Sequence, residues 1–248
     1  MSTSRHSLIG TVRRALPAGA SIDPHHHDEH QIVYASRGVL SIVTPTGTWV
    51  APTDRALWIP AGTTHEHRAY GRTDLNTVGV AVADGPPELT GPAVLAVGSL
   101  FRELIVAYTS DGYEGPQRER LYRVLLDQVR HAPHQPIHLP AARDPRLVEL
   151  CALLLADPAD DRTLGELGHQ VGASARTLSR LFGVDLGMTF PQWRTQVRLH
   201  RALVLLAEGD SVTQVAHRCG WATPSAFIDV FRRTLGYTPG RTPVRRDP

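Results

Sequence analysis

The feature that most constrains the fold of this chain is a plan of two short helices joined by a glycine-containing turn, which occurs twice. The two copies are TLGELGHQVGASARTLSRLF (163–182) and SVTQVAHRCGWATPSAFIDVF (211–231), and they begin about 48 residues apart. Each copy opens with a capping Ser or Thr and turns at Gly172 or Gly220 before its second helix. An ordinary helical bundle does not require the same plan twice, so the pattern predicts two helix-turn-helix motifs.

The rest of the chain changes from a strand-like to a helical pattern. Five short runs rich in β-branched and aromatic residues fall within the first 85 residues: QIVYAS, GVLSIVT, TWVAP, RALWIPAG and NTVGVAVADG. Helical spacing begins near residue 98, in SLFRELIVAYTS and PQRERLYRVLLDQVRHA, and a Pro-rich stretch (131–145) follows.

This organisation predicts an α+β protein of two domains. We expect four segments: a β-barrel or sandwich (1–97), a helical connector (98–131), a linker (132–145) and an all-α domain with both helix-turn-helix motifs (146–248). Between the two motifs, TFPQWRTQVRLHRALVLLAEG (189–209) is predicted to form one long helix that fixes their separation.

Composition sets the broad class of the protein. All 26 positively charged residues are Arg, with 12 against 13 acidic residues in 1–142 and 14 against 11 in 143–248, so charge alone does not indicate DNA binding. The two cysteines, Cys151 and Cys219, are expected to pack as small apolar groups in a reducing compartment. We expect a cytoplasmic protein without a membrane contact, because no leader is present and the longest apolar run (147–156) is too short to span a bilayer.

The second helix of the first copy leaves cations on its outer side. Its inward residues are spaced three and four apart: Leu178, Leu181 and Phe182. Arg176, Ser179 and Arg180 therefore face outward. Because Arg matches the O6/N7 edge of guanine and Ser donates or accepts a hydrogen bond, we predict that these three residues contact DNA. A merely solvated face is the alternative.

The corresponding helix of the second copy begins at Thr223. Its inward residues are predicted to be four: Ala226, Phe227, Val230 and Phe231. Ser225, Asp229, Arg232 and Arg233 are left outward, and phosphates repel Asp229 unless it accepts from cytosine N4 or pairs with an Arg. We predict that Asp229 pairs with a neighbouring Arg, and that Arg232 and Arg233 anchor this helix to phosphates.

The segment 160–242 resembles the DNA-binding domain of the AraC/XylS family of bacterial transcription regulators. The resemblance is carried by LSRLF, GMTFPQWRTQVRLHRAL, VAHRCGW and PSAFIDVFRRTLGYTPGR. It implies that both motifs bind a double-stranded DNA operator in successive major grooves. Matched by position, the implied reading residues are Arg176, Ser179 and Arg180 in the first motif and Thr223, Ser225 and Asp229 in the second. Asp229 departs from the family, in which this position is often basic.

A histidine cluster near the N-terminus suggests a binding site. PHHHDEHQIVYASRG (24–38) holds four histidines within six residues. In an extended strand, His25, His27 and Gln31 share a face, while the other two histidines point away. His65 follows in IPAGTTH, which a neighbouring strand brings alongside in our prediction. Three imidazoles and one oxygen donor suit a divalent transition metal ion, of an identity that the pattern leaves open.

These stretches also resemble the two motifs of the cupin superfamily. The first is matched by Gly19, the two histidines, Gln31 and Gly38, and the second by DRALWIPAGTTH. Gln31 stands where Glu is usual, and Asp54 stands where Gly is usual. The resemblance implies a cupin barrel that serves as the sensing and dimerising domain of a regulator.

Several interpretations of the first domain remain open. We predict a pocket for a small-molecule or metal effector, lined by six residues: His25, His27, His65, His67, Trp58 and Tyr34. The metal ligands are predicted to be four: His25, His27, Gln31 and His65. The alternatives are a pocket without a metal, histidines that are merely hydrogen-bonded, and a metal-dependent cupin enzyme of the dioxygenase or isomerase type fused to a DNA-binding domain.

A homodimer is predicted through an apolar stripe on the second connector helix. Leu121, Leu125 and Val129 lie on this stripe, with Arg and Glu opposite. The alternative is that the stripe packs on its own barrel.

Overall fold

A computed structural model describes residues 11–135 and 138–241. These form two compact units that divide just before His138, except that residues 46–48 belong to the second unit. The first unit is an antiparallel sheet with two helices, and the second is helical, which confirms the α+β, two-domain prediction. The division falls inside the Pro-rich stretch that the sequence indicates as a linker. The parts of the predicted segments that cover 1–10, 136–137 and 242–248 lie outside the described residues.

The first unit contains eight of the strands and two α-helices among the described residues. The strands are β1 (Val12–Leu16), β2 (Ser21–His25), β3 (His30–Thr44), β4 (Gly47–Ala51), β5 (Arg55–Ile59), β6 (His65–Val80), β7 (Ala93–Ala96) and β8 (His134–Gln135). The helices are α1 (Ser99–Tyr108) and α2 (Gly115–His131). Hydrogen bonds link the strands in the order β1-β6-β3-β5-β7-β8, with β2 beside β6 and β4 beside β3.

Strands β3 and β6 differ in extent from the runs that predict them, and β1 is not predicted at all. QIVYAS and GVLSIVT form the single strand β3, whose pairing with β6 shifts register on either side of Arg37 instead of breaking. β6 begins at His65, well before the predicted run NTVGVAVADG. Its first residues alternate in burial, since His65, His67 and Ala69 are buried and Arg68 is exposed. Two of the buried positions are histidines, so the alternation is not one of apolar and polar residues and does not predict a strand.

The two faces of the sheet build two different cores. Along β3, Val33 and Ala35 point to a core between strands, whereas Ile32 and Tyr34 point to a core that includes α1 and α2. Leu125 and Val129 are wholly buried in the second of these cores. The expected dimer contact through Leu125 is therefore wrong, because that part of the stripe packs within its own unit. Leu121 is only partly buried.

The second unit begins with the short strand β9 (His138–Pro140), and helices follow. They are α3 (Pro145–Ala156), α4 (Leu164–Gln170), α5 (Ala175–Leu186), α6 (Phe190–Glu208), α7 (Val212–Arg218) and α8 (Pro224–Leu235). Thr163 and Ser211 cap α4 and α7 through reciprocal capping boxes with Glu166 and Gln214, so the two copies of the repeat begin in the same way. The structure thus contains both predicted helix-turn-helix pairs, α4–α5 and α7–α8.

Helix α6 contributes to the packing of both pairs. Trp193 and Val197, in its first half, belong to the core of α3, α4 and α5, and α6 also contacts α7. Cys151 and Cys219 are buried, and burial raises the pKa of their thiols to about 12 and about 11, as expected for residues that pack as apolar groups. Among the helices of the described residues, none is long and apolar enough to cross a bilayer.

Candidate DNA interface and histidine pocket

Helix α5 presents the three residues that the sequence predicts to read DNA. The hydroxyl oxygen of Ser174 accepts a hydrogen bond from the Thr177 backbone N–H at 3.1 Å and starts the helix. Leu178 and Phe182 are wholly buried and fix its rotation, so Arg176, Ser179 and Arg180 are all exposed. With Thr177, these three line one shallow surface hollow. Within residues 11–135 and 138–241, neither arginine has an ion-pair partner.

Helix α8 presents its polar residues differently. The Thr223 hydroxyl accepts a hydrogen bond from the Ala226 backbone N–H at 3.2 Å, so this predicted reader also serves as the helix cap. Four further residues are exposed as expected: Ser225, Asp229, Arg232 and Arg233. A guanidinium nitrogen of Arg232 lies 3.5 Å from a carboxylate oxygen of Asp229, which confirms that Asp229 pairs with a neighbouring Arg.

The inward face of α8 is narrower than the sequence pattern indicates. Its buried residues recur every four positions, at Phe227, Phe231 and Leu235. Ala226 lies beside this stripe and is exposed, so its expected inward position is wrong, and Val230 is only partly buried.

Two arginines of α6 tie that helix to the loop between α3 and α4. The Nε of Arg198 donates to the carbonyl oxygen of Pro158 at 3.0 Å, and the Arg194 guanidinium donates to the carbonyl oxygen of Arg162. The Arg194 guanidinium also lies 4.3 Å from the centroid of the Phe190 ring. These arginines therefore hold structure together inside the unit, a role that their sequence spacing does not reveal.

The histidine cluster is assembled from two strands and a turn. His25 ends β2 directly opposite His65, which begins β6. His27 lies in the turn between β2 and β3, where its carbonyl oxygen accepts a hydrogen bond from the Gly62 backbone N–H at 2.8 Å. Gly62 has a φ of 76°, a left-handed conformation that glycine adopts readily. This conformation lets the IPAGTTH turn lie against His27. One nitrogen from each of these three histidines lies within 4.8 Å of the others.

The grouping of side chains is as expected, but its cause is different. His27 is in a turn, so the parity of an extended strand does not place it; nevertheless His25, His27 and Gln31 line one pocket. His30 turns away, as expected, and its Nδ1 accepts a hydrogen bond from the Ala61 backbone N–H at 3.0 Å.

Hydrogen bonds orient two of the imidazoles for ligation. The Nδ1 of His25 lies 2.7 Å from the Asp23 carbonyl oxygen, and the Nδ1 of His65 lies 2.8 Å from the Thr63 carbonyl oxygen. Since a carbonyl oxygen only accepts, each Nδ1 carries a proton, and in the neutral form of either ring the Nε2 keeps a lone pair. The Nε2 of His65 is buried and has no hydrogen-bond partner in the described part of the chain. This is the arrangement of a metal-binding histidine with an oriented second nitrogen.

Burial keeps the central histidines neutral. Burial, with a smaller contribution from the neighbouring histidines, lowers the pKa of His65 to about 4. Burial also lowers the pKa of His67 well below its usual value. The His67 ring lies 5.0 Å from the His65 ring, between centroids, and its Nδ1 is likewise buried without a partner among the described residues.

The pocket beside this cluster has a volume of about 70 Å³. Nine residues line it: Val12, Arg14, Ile22, His25, His27, Gln31, His67, Leu75 and Thr77. Arg14 is absent from the predicted pocket, because β1 is not among the runs with a strand-like sequence pattern. His65 lies in the cluster but is buried behind the lining, at 1% exposure.

Two residues expected in the pocket are elsewhere. Tyr34 and Trp58 are wholly buried in the core that includes α1 and α2. The Tyr34 hydroxyl donates to the Thr53 carbonyl oxygen at 2.8 Å, and the Trp58 indole N–H donates to the Leu89 carbonyl oxygen at 3.1 Å. Both therefore have structural partners on the opposite face of the sheet from the histidines, which corrects their assignment to the pocket.

Comparison with known proteins gives matches over both units. Residues 11–125 match a family model described as an AraC-like ligand binding domain, and residues 167–245 match one described as a helix-turn-helix domain. The chain is 32% identical over 223 residues to the HTH-type transcriptional regulator NimR of Escherichia coli K12, covering 88% of this chain and 80% of NimR. It is 28% identical over 251 residues to the HTH-type transcriptional activator RhaS of Salmonella heidelberg, covering 89% and 87% of the two chains. Among solved structures, ToxT of Vibrio cholerae O395 is 9% identical, with a TM-score of 0.40, over 92% of this chain and 94% of that one.

Proposed function

Because this chain belongs to the AraC family of DNA-binding transcription regulators, we propose that it binds an operator with both helix-turn-helix motifs and responds to an effector bound by its first unit. Its relatives are named as transcription regulators, which favours this function over the cupin-enzyme alternative. In this proposal, named residues of each motif contact DNA, the two motifs bind successive major grooves, and the histidines hold a metal ion.

The observation that carries the DNA-binding assignment is the exposed face of α5. Arg176 and Arg180 are four residues apart on a helix whose opposite side is buried, so both guanidinium groups project on the same side. Neither guanidinium group forms an ion pair with another described side chain. A free guanidinium on a recognition helix is suited to a bidentate contact with guanine or to a phosphate contact.

The length of α6 supports binding by both motifs to one duplex. The helix has 19 residues, which at about 1.5 Å per residue gives a length of roughly 28 Å. Successive major grooves on one face of B-DNA repeat at about 34 Å. A continuous helix of this length, which packs in the core of the first motif and contacts α7 of the second, is suited to holding two recognition helices about one turn apart. A modest bend of the duplex accommodates the remainder.

Selection of bound sequences from a random DNA library with the full chain tests this proposal. We expect a site with two conserved stretches whose centres are about ten base pairs apart. Arg176→Ala and Arg180→Ala should relax sequence preference in one stretch only. Glu103→Gln, in the first unit, is a matched control that leaves the selected site unchanged. Selection of a single short stretch, or of no preferred sequence, contradicts the proposal.

We propose further that His25, His27 and His65 hold a divalent transition metal ion, with the Gln31 side-chain oxygen as a fourth donor. The protonated Nδ1 of His25 and His65 and the orphaned Nε2 of His65 fit such an ion. A bound metal supplies a Lewis-acidic position at which an effector can coordinate.

Elemental analysis of protein purified without a tag tests the metal site, with about one equivalent of metal expected. His65→Ala should abolish uptake, whereas His30→Ala, which alters a histidine directed elsewhere, should not. Less than a tenth of an equivalent, without uptake on titration, contradicts it.

The sheet offers a route from this pocket to the helices of the same unit. Gln31 lines the pocket, while the next residue, Ile32, packs in the core that contains α1 and α2. We propose that effector binding changes the packing of these helices, which requires that the effector prefer one of the two arrangements.

We also propose that the protein is a homodimer, with α2 at the interface. In place of the buried Leu125, the candidate contact is the outer groove of α2, where Tyr113 and Val124 are about two-fifths exposed beside Leu121. Sedimentation at micromolar concentration should give a dimer, and Val124→Glu should shift it toward monomer. A wild-type protein that is monomeric at these concentrations contradicts the proposal.

A further inference from the structure

The charges around the histidine cluster point to the chemical class of the effector. We propose that the pocket takes a small carboxylate, which coordinates the metal held by the histidines and forms an ion pair with Arg14. This inference rests on the proposed metal site, and it adds the ligand class and a residue that binds it.

The first step of the argument is that the donor set carries no negative charge. The potential metal ligands that come together among the described residues are three histidines, without a carboxylate. None of the nine residues that line the pocket is acidic. Gln31 is 3% exposed. Its side chain is a neutral amide, whereas a Glu at this position would partly neutralise a bound cation. A dication with neutral ligands in a partly buried site keeps its full charge, which is costly without a counter-ion. An anion from solution therefore completes this site more favourably than a neutral ligand does.

The second step is the position of Arg14. In β1, Val12, Arg14 and Leu16 have the same parity, and Arg14 pairs with Leu75 of β6, which also lines the pocket. The neighbouring Arg13 has the opposite parity, and its guanidinium donates to the Ser110 hydroxyl. Arg14 is exposed, and no carboxylate of the described chain forms an ion pair with it. A guanidinium is well suited to binding a carboxylate through two parallel hydrogen bonds.

The third step concerns size and the remaining surface of the pocket. The pocket is small: its volume of about 70 Å³ is only several times the roughly 10–15 Å³ that one water needs by the same kind of measure. Ile22 and Leu75 supply apolar lining, and Thr77 supplies a hydroxyl. A carboxylate with a short apolar end therefore fits this lining, and a larger effector would extend past Arg14 toward solvent.

Titration of the full-length, untagged protein with Co²⁺ tests the proposal, because the visible absorption of Co²⁺ reports both binding and coordination. The titration is done in a chloride-free buffer with sodium acetate or, at equal ionic strength, with sodium perchlorate. We expect acetate to tighten Co²⁺ binding by at least tenfold and to change the visible spectrum. Arg14→Gln should bind Co²⁺ as the wild type does in perchlorate but lose most of the acetate effect. The matched control Arg13→Gln should keep the effect.

Gln31→Glu supplies the missing charge from the protein itself. This variant should bind Co²⁺ tightly in perchlorate and gain less than threefold from acetate. If Co²⁺ binds but acetate does not tighten its binding to the wild type, the carboxylate proposal is overturned. It is also overturned if Arg14→Gln keeps the full acetate effect. Failure to bind Co²⁺ under both conditions overturns it together with the metal site. Operator binding by the same samples is measured in parallel, so that failure of the DNA-binding function is distinguished from either result.

Discussion

The two helix-turn-helix motifs share one backbone plan but differ in the charges that they present. On α5, Arg176 and Arg180 are exposed and lack a carboxylate partner within the described chain. On α8, Arg232 shares its charge with Asp229, at 3.5 Å. The difference in charge leads us to propose different roles for the two motifs, with base reading by the first and mainly phosphate anchoring by the second.

The turns of the two motifs differ in their surroundings as well. Gly172 and Gly220 both have left-handed backbones, with φ of 66° and 77°. A Cβ at Gly172 meets no atom within 4 Å, but a Cβ at Gly220 lies 2.8 Å from the Ala159 Cα and 2.8 Å from the Arg198 guanidinium. The second turn is therefore packed against the α3–α4 loop and α6, and the first is open.

The largest effect that we predict separates these two turns. Gly172→Ala should lower the free energy of unfolding by about 1–2 kcal/mol, the cost of a left-handed backbone for a residue with a Cβ. Gly220→Ala should cost roughly 1–3 kcal/mol more, because the added methyl group overpacks against Ala159 and Arg198. Denaturant unfolding of the full chain measures both. Equal losses for the two variants contradict the difference in packing.

The next effect separates base reading from phosphate anchoring. Arg180→Ala should weaken operator binding by about 10- to 100-fold and reduce discrimination against a scrambled duplex. Arg233→Ala should weaken binding to both duplexes alike and lower the salt dependence by about one phosphate contact. Fluorescence anisotropy at several salt concentrations measures affinity and slope together. If Arg180→Ala weakens both duplexes equally, α5 does not read bases.

The smallest effect concerns the charge pair of α8. Asp229→Asn removes a carboxylate that phosphates repel and frees Arg232, so operator binding should tighten by about two- to fivefold. The unfolding free energy should change by less than about 1 kcal/mol, because exposed ion pairs contribute little. Asp127→Asn on α2 breaks a similar exposed pair with Arg130 and is the matched control. Weaker operator binding by Asp229→Asn would show instead that this carboxylate makes a favourable contact with DNA.

The sequence predicted the helical unit more fully than the sheet. Caps, glycine turns and apolar spacing act within a few residues, so α6 was expected over 189–209 and is found over Phe190–Glu208. Pairing in the sheet depends on residues far apart in the chain. For that reason the sequence pattern does not reveal the polar start of β6 or β1 with Arg14, and its assignment of Tyr34 and Trp58 to the pocket is wrong.

The histidine site shows the same division between local and distant information. Motif spacing identified His25, His27, Gln31 and His65, which the fold does bring together. It did not reveal that carbonyl groups two residues earlier in the chain orient the imidazoles of His25 and His65. The cupin resemblance and the bound metal remain predictions.

Hydroxyl-radical footprinting of the full-length protein on its selected operator tests most directly whether both motifs bind one duplex in different roles. The account predicts two protected stretches on the same face of the DNA, with centres about one helical turn apart. Arg180→Ala should weaken protection in one stretch, and Arg233→Ala should weaken it in the other. A single protected stretch, two stretches on opposite faces, or the same loss pattern for both variants would contradict it.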